Sequence, residues 1–378
     1  MTLPVWPYAQ RAELIESLEW QTDVIRARAA EQRIALRSAP RTSLALQHLL
    51  PGDQLTEARE LLRSHDVFAV PDWPRVARVG NVAAGAAVAV PVPAGMGLQA
   101  GDEALLWRSP RQWERVTVST ATDSSVTLAA VAAAMADARL LPLRRGIAPQ
   151  GLGVQRFAGG THVAQVPFEL SDTRDVGAST YEQYRGHDVL PMAPVVGNDA
   201  VDDATAWPLE LIDNATAVPV PLRTRTQPDE RTAMRWHVFG RPAAWALRQW
   251  LHSRKGRQRA FWLSTWARDF ELAATIGAAD TVISVRRFPA LATLRAGFDI
   301  EIRTTAGAVY RRQVGTPAVS GANWQIPIGT ALGASVTAAQ LARISMLRCL
   351  RFDADRIELL HRAGAGMAVS VPCIEVLP

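Results

Sequence analysis

The residues that could carry chemistry in this chain are few, and their spacing serves no reaction we can write. No two of the seven histidines share a ligand spacing such as HxxxH. Asp353, Asp355 and Glu358 cluster, as do Asp199, Asp202 and Asp203. Paired carboxylates can do acid–base work or bind calcium, but neither group has the Dx[DN]x[DN]G loop, and both read as solvated faces. The glycine-rich stretch Gly151 to Gly160 has no GK[ST] and so is no phosphate loop, and no GxSxG occurs. Cys349 and Cys373 lack metal spacing and read as free thiols of a protein made in a reducing cytoplasm, a single disulfide between them being the alternative. His65 and His252, near two helix ends, fit C-terminal caps. We assign no catalytic residue, no cofactor and no metal ligand. A cell-wall hydrolase would have to use Asp269 or Glu271.

Aromatic and basic residues are the other chemical material. Trp236, Trp245, Trp250, Trp262 and Trp266 are five of the twelve tryptophans, and Phe261 lies among them. They can form a stacking platform for sugars or bases, a large hydrophobic core, or an oligomer interface where tryptophan and arginine are enriched. Phe68 and Trp73 make a smaller aromatic pair in the first half. Arg254, Lys255, Arg257 and Arg259 form the densest basic cluster and are candidate interface charges. The 41 basic residues are spread among 36 acidic ones, so the net charge of +5 marks no nucleic-acid footprint. No apolar run is long enough to span a membrane, and the N-terminus has no signal-peptide pattern.

The elements that position these residues recur along the chain. RTSLALQH from Arg41 matches RTAMRWHV from Arg231, 190 positions on. ARELLRSHD (Ala58 to Asp66) resembles ALRQWLHSR (Ala246 to Arg254), both helical in pattern. Phe68 and Trp73 are followed by Phe261 and Trp266 at an offset of 193, and the β-patterned stretches from Gly101 and Gly297 at 196. Trp113 and Tyr310 then correspond at 197, a drift that loop insertions would leave. With 378 residues, 48% of them hydrophobic, each half can bury its own core.

Each half is therefore expected to run strand, helix, aromatic loop and small β-sheet. The fold class is mainly β with a few short helices (α+β): two tandem related modules, each a small antiparallel β-barrel or sandwich with a helix-loop element. Residues 1–155 form the first. Residues 156–378 form the second, with a Trp-rich helix-loop at 236–270 and a C-terminal sheet at 295–378. Helices are expected at Leu55 to Ser64, capped by Thr56 or Asp53, and at Ala243 to His252 after Pro242. Strands are expected at Leu18 to Ile25, at Asp299 to Arg303 with a return over Val309 to Val314, and at Asn323 to Ile328, where Pro327 implies an edge. Ile357 and Leu359 begin a final hairpin that turns at Ala363-Gly364 into Met367 to Val376. Gly186 to Ala206 reads as a loop.

LEWQTDVI, EQRIALRSAPR, VPDW, KGRQRAFWLSTWARDFEL and the closing RFDADRIELLH and PCIEVLP resemble minor tail proteins of long-tailed bacteriophages, near the distal tail and hub proteins of the tail tip. The resemblance implies a non-enzymatic assembly role in the virion, with synthesis in the host cytoplasm. It implies a homo-oligomeric ring, trimer or hexamer, that joins the tail tube to distal tip proteins such as a hub or central fibre. No membrane or specific nucleic-acid partner is expected. The alternative is a carbohydrate-binding adhesin or receptor-binding module using the Trp-rich segment.

Overall fold

Alternation of apolar and polar residues turns most of this sequence into strands. Between positions 41 and 51, Thr42, Leu44, Leu46, His48 and Leu50 are buried while Arg41, Ala45, Leu49 and Pro51 face outward. The computed structural model describes every residue except 1, 12, 29, 158, 173–175, 196–201, 216–217, 226–227 and 363–365. Among the described residues strands dominate and two α-helices occur.

The chain opens with β1 (Glu13–Glu19), the hairpin β2 (Thr22–Arg26) and β3 (Glu31–Ala35), and β4 (Arg41–Pro51), which runs into helix α1 (Gly52–Ser64). After β5 (Val67–Pro71) come β6 (Ala77–Val82), β7 (Gly85–Pro91), β8 (Glu103–Ser109), β9 (Gln112–Ala121) and β10 (Ser125–Val131). The long β11 (Met135–Ile147) leads to β12 (Gly153–Arg156) and β13 (Thr161–Leu170). Short β14 (Gln183–Tyr184), β15 (His187–Asp188) and β16 (Asp203–Ala206) precede the hairpin β17 (Leu209–Ile212) and β18 (Val220–Arg223). β19 (Asp229–Val238) then enters helix α2 (Arg241–Arg254), followed by β20 (Phe261–Ser264) and β21 (Val282–Arg286). The chain continues through β22 (Asp299–Thr304), β23 (Val309–Gln313), β24 (Ala318–Ser320) and β25 (Asn323–Pro327). It finishes with β26 (Leu341–Phe352), β27 (Arg356–Arg362) and β28 (Gly366–Glu375).

One order of antiparallel pairings occurs twice. β4 pairs with β13, β13 with β11 and β11 with β5; β19 pairs with β28, β28 with β26 and β26 with β20. A hairpin strand lies beside the closing strand in both sets, β12 beside β13 and β27 beside β28. The register of the first pair in each set agrees as well. Thr42 faces Leu170 and His48 faces Ala164, while 190 positions on Thr232 faces Cys373 and Val238 faces Met367. Each set carries its helix between the first two of its strands. The first set extends to residue 170, because β13 pairs with β4 along its whole length.

Each set fills its interior with aromatics. Trp6, Tyr8, Phe68 and Phe168 are buried in the first, with Trp6 edge-on to Phe168 at 5.5 Å. Trp236, Trp250, Phe261 and Phe352 are buried in the second, with Trp250 edge-on to Phe261 at 4.9 Å. A fully buried phenylalanine or leucine contributes roughly 1.5–3 kcal/mol, so these clusters dominate stabilisation. Separate apolar cores lie within β6 to β11 and around β21, β22 and β25.

Several expectations change. Leu18 to Ile25 is two strands, β1 and β2, because Trp20 turns inward and its N–H donates to the carbonyl of Asp355 at 2.9 Å. Neither Asp53 nor Thr56 caps α1: Pro51 occupies that place, and the Thr56 hydroxyl donates to the Gly52 carbonyl. His252 lies within α2, edge-on to Trp20, and Lys255 in left-handed conformation ends that helix. β25 is the central strand of its three-stranded sheet, not an edge. Pro327 is tolerated because it is the last residue, beyond the end of the β24 ladder. Gly186 to Ala206 contains β15 and β16. The expected turn at Ala363-Gly364 lies outside the described residues, as does Asp199.

Candidate functional site

The feature that organises the molecule is the seam where the two strand sets meet. β1 pairs with β27 on one side, Glu13 opposite Arg362 through Glu19 opposite Arg356, and with β4 on the other. A single strand thus sews the end of the second set to the start of the first.

Charges are buried along this seam. The Glu16 carboxylate is bonded by the Arg248 guanidinium from α2 and lies 2.9 Å from His361 Nε2. Burial works against the charge on Glu16, but Arg248 and His361 outweigh it and hold the carboxyl far below its usual range. Asp72 is paired with Arg75, and Arg144 stands 3.6 Å from it. Burial again opposes ionisation, and the two guanidiniums again prevail. Arg144 also donates to Asp172 at 2.6 Å. Such a network contributes little net stability but fixes one arrangement of the parts, since any other leaves a buried charge unpaired.

The β2–β3 hairpin projects from the first set and lies on the β26–β27 corner of the second. Arg351, fully buried beneath it, donates from Nε and Nη2 to the two carboxylate oxygens of Glu31 at 2.7 and 3.2 Å. Asp355 accepts from the Thr22 N–H at 2.8 Å and from its hydroxyl at 2.9 Å, and also from the Arg257 N–H at 3.1 Å. Gly256, at φ +61, passes so close that a Cβ there would stand 2.5 Å from Asp355 Oδ1. Asp353 takes Arg351 at 3.0 Å and Arg257 at 3.5 Å. Asp353 and Asp355 are therefore working acceptors at a corner rather than a solvated face.

The predicted residues are largely internal. Trp236, Trp250, Phe261, Trp262, Phe68 and Trp73 are buried and present no platform to a sugar. Trp245 and Trp266 are half-buried. The Trp245 side chain lies so close to Gly95 and Gly97 that a Cβ on either would come within 3.0 Å of it, tying α2 to the first half beside a cleft of about 540 Å³. Trp266 is covered by Arg343 at 4.2 Å. Of the basic cluster, Arg254 is buried, donating to Asp188 at 2.8 Å and to the Ala260 carbonyl at 2.6 Å. Arg257 serves the corner, Lys255 is half-buried, and Arg259 is exposed. Both cysteines are free and buried, and burial pushes the Cys349 thiol up to about 12. Among the described residues no three His, Cys, Asp or Glu side chains are placed to hold a metal ion, and no helix is long and apolar enough to cross a membrane.

Sequence reasoning missed the two hairpins and the open edges. Among the described pairings β12 bonds only β13, and β16 bonds only β19, so each offers a free strand edge. The β17–β18 hairpin is exposed along both strands, with Leu211 64%, Val218 85% and Val220 62% exposed. The sequence signal was there: LELI and VPVPL are apolar runs that no core accounts for. No protein-family model matches the chain, and no curated protein is significantly similar to it.

Proposed function

We propose that the chain is a non-enzymatic structural subunit of a bacteriophage tail tip or baseplate, forming a ring that joins the tail tube to distal tip proteins in the virion. Two tandem related modules, each a small β-barrel or sandwich with a helix-loop element, make up the subunit. The observation that carries the reading is the pairing order that occurs twice, joined by β1 and ending in free edges at β12 and β16. A chain that joins two like units head to tail and leaves the same ends open is suited to heterologous contacts, which close into a ring when the rotation is right. Three copies present six similar surfaces to a six-fold tube. The tail resemblance of KGRQRAFWLSTWARDFEL and RFDADRIELLH supports the same role.

Native mass spectrometry of the purified chain across a concentration series tests it. Three copies per ring is the expected result. Six copies overturn the idea that the repeat stands in for six-fold symmetry, and a persistent monomer overturns self-assembly as a ring. The adhesin alternative is weakened because the aromatics it needs are packed inside.

A further inference from the structure

The corner that seats the β2–β3 hairpin is built twice, and among the described residues only one copy of it is covered. In the second set Phe352 faces Cys373, which faces Thr232. In the first, Gly146 faces Leu170, which faces Thr42. Counted along the β13 and β28 ladders, Gly146 takes the place of Phe352, Arg145 that of Arg351, and Ile147 and Pro149 those of Asp353 and Asp355; the β5 and β20 ladders, where Phe68 faces Gly146 and Phe261 faces Leu350, run two positions out of step. Arg351 is fully buried under the hairpin, whereas Arg145 is exposed.

The hairpin is also built twice. β1, β2–β3 and β4 follow in the order that β16, β17–β18 and β19 repeat. Counting along the β1–β4 and β16–β19 ladders places Leu211 where Arg26 stands and Pro221 where Glu31 stands. Among the described residues one hairpin has a seat and the other is bare.

The chemistry of the two halves matches pairwise. The seated hairpin meets its corner through charges: Glu31 on Arg351, Arg26 4.0 Å from Asp353, Thr22 on Asp355. The unseated hairpin is apolar at its tip strands, and the uncovered corner, from Ile147 to Leu152 (IAPQGL), is apolar too, with the exposed Arg145 just before it. A charged hairpin on the apolar corner, or the reverse, would bury unpaired charge.

We infer that the β17–β18 hairpin of one copy seats on the β11–β12 corner of the next copy, as β2–β3 seats on β26–β27 within the chain. The partner is a second copy of this chain, and the inference rests on the ring reading above. β16 then lies toward the free edge of the neighbour's β12, so strand pairing continues from copy to copy.

The test uses the full chain carrying Ile147→Cys and Leu211→Cys, a short bismaleimide and native mass spectrometry. Cys349 and Cys373 are buried and compete little for the reagent. Rings whose crosslinked peptides join position 147 of one chain to position 211 of another are expected. Rings that form without that crosslink overturn the hairpin contact and leave the ring reading standing; a monomer at every concentration overturns both. As a second variant, Leu211→Asp with Leu222→Asp should lower the assembled fraction roughly tenfold or more while circular dichroism stays that of the parent. Unchanged assembly in that variant sinks the contact.

Discussion

The seam inside the chain and the bare corner at its end are the same construction made of different chemistry. At the seam, Glu16, Arg248, Asp72, Arg75 and Arg144 are buried as charges, and Arg351 is sealed under a polar hairpin. At the β11–β12 corner Arg145 keeps the place of Arg351 but is exposed, Ile147 and Pro149 replace Asp353 and Asp355, and the hairpin without a seat carries Leu211, Val220 and Leu222. Two parts of one chain are already held together, so their contact has only to select an arrangement, and buried ion pairs do that at little net gain. Separate copies must first offset the lost freedom of association, and apolar area is what supplies a surplus. The difference teaches where the chain needs specificity and where it needs driving force.

The comparison breaks most visibly at the seam. Arg248→Met leaves Glu16 buried with only His361 beside it, and the expected loss is about 3–5 kcal/mol in chemical denaturation. Glu16→Leu combined with Arg248→Met removes both charges and should recover most of that loss. A double variant as unstable as the single one means the ions drive stability rather than select geometry.

Acid should attack the interior next. Burial lowers His48 to about 4, where it accepts the Trp6 indole N–H at Nε2 and donates from Nδ1 to the Ala9 carbonyl. Burial first, then Arg248, lowers His252 to about 3. Both folded values lie below the unfolded value near 6.5, so below that pH the unfolded chain binds protons that the folded chain refuses. Stability is complete above pH 6.5 and falls as the pH drops toward 4, by up to roughly 3 kcal/mol for His48. Glu16 and Asp72 add a further loss only below the ordinary carboxylate range. Urea midpoints between pH 7 and 4 measure this, and His48→Gln should flatten the slope. A slope unchanged in that variant places the proton uptake elsewhere.

A third effect is smaller and confined to the seated hairpin. Gly256→Ala brings a Cβ against Asp355 at a left-handed position, at a cost of about 1–3 kcal/mol. Hydrogen exchange should quicken first in β2 and β3, whose Thr22 contact depends on Asp355. Quickening spread evenly over the molecule would mean that the hairpin is not a separate unit.

Much of the strand content was legible because half-buried strands write a period of two into the sequence. Asp299 to Arg303 and its return were found this way, both helices by their helical spacing, and the match of Arg41 with Arg231 by the repeat itself. The seam was not legible, since β1 reads like any amphipathic strand and nothing local says that β27, more than 330 positions away, lies beside it. The arginine cluster at 254 to 259 misled for a related reason: burial and partner decide what an arginine does, and Arg254 finds Asp188 inside the fold. The tryptophans were ambiguous between core and surface until their neighbours were known. The hairpin β17–β18 was legible only as apolar residues without a core to join.

The smallest expected effect sharpens the comparison best. Leu222→Ser in the bare hairpin removes an apolar side chain that is already 50% exposed, so the isolated copy should change in unfolding free energy by less than about 0.5 kcal/mol. Phe168→Ala in the first core, by contrast, should cost about 3–5 kcal/mol. If Leu222 stabilised its own copy, the serine variant would unfold earlier even at dilutions where copies stand apart. If it serves a neighbour, dilute stability is untouched and the loss emerges only as concentration rises and the parent assembles. Salt separates the two chemistries further: an apolar seat holds from low to high ionic strength, while a charged one on the surface weakens within the screening length.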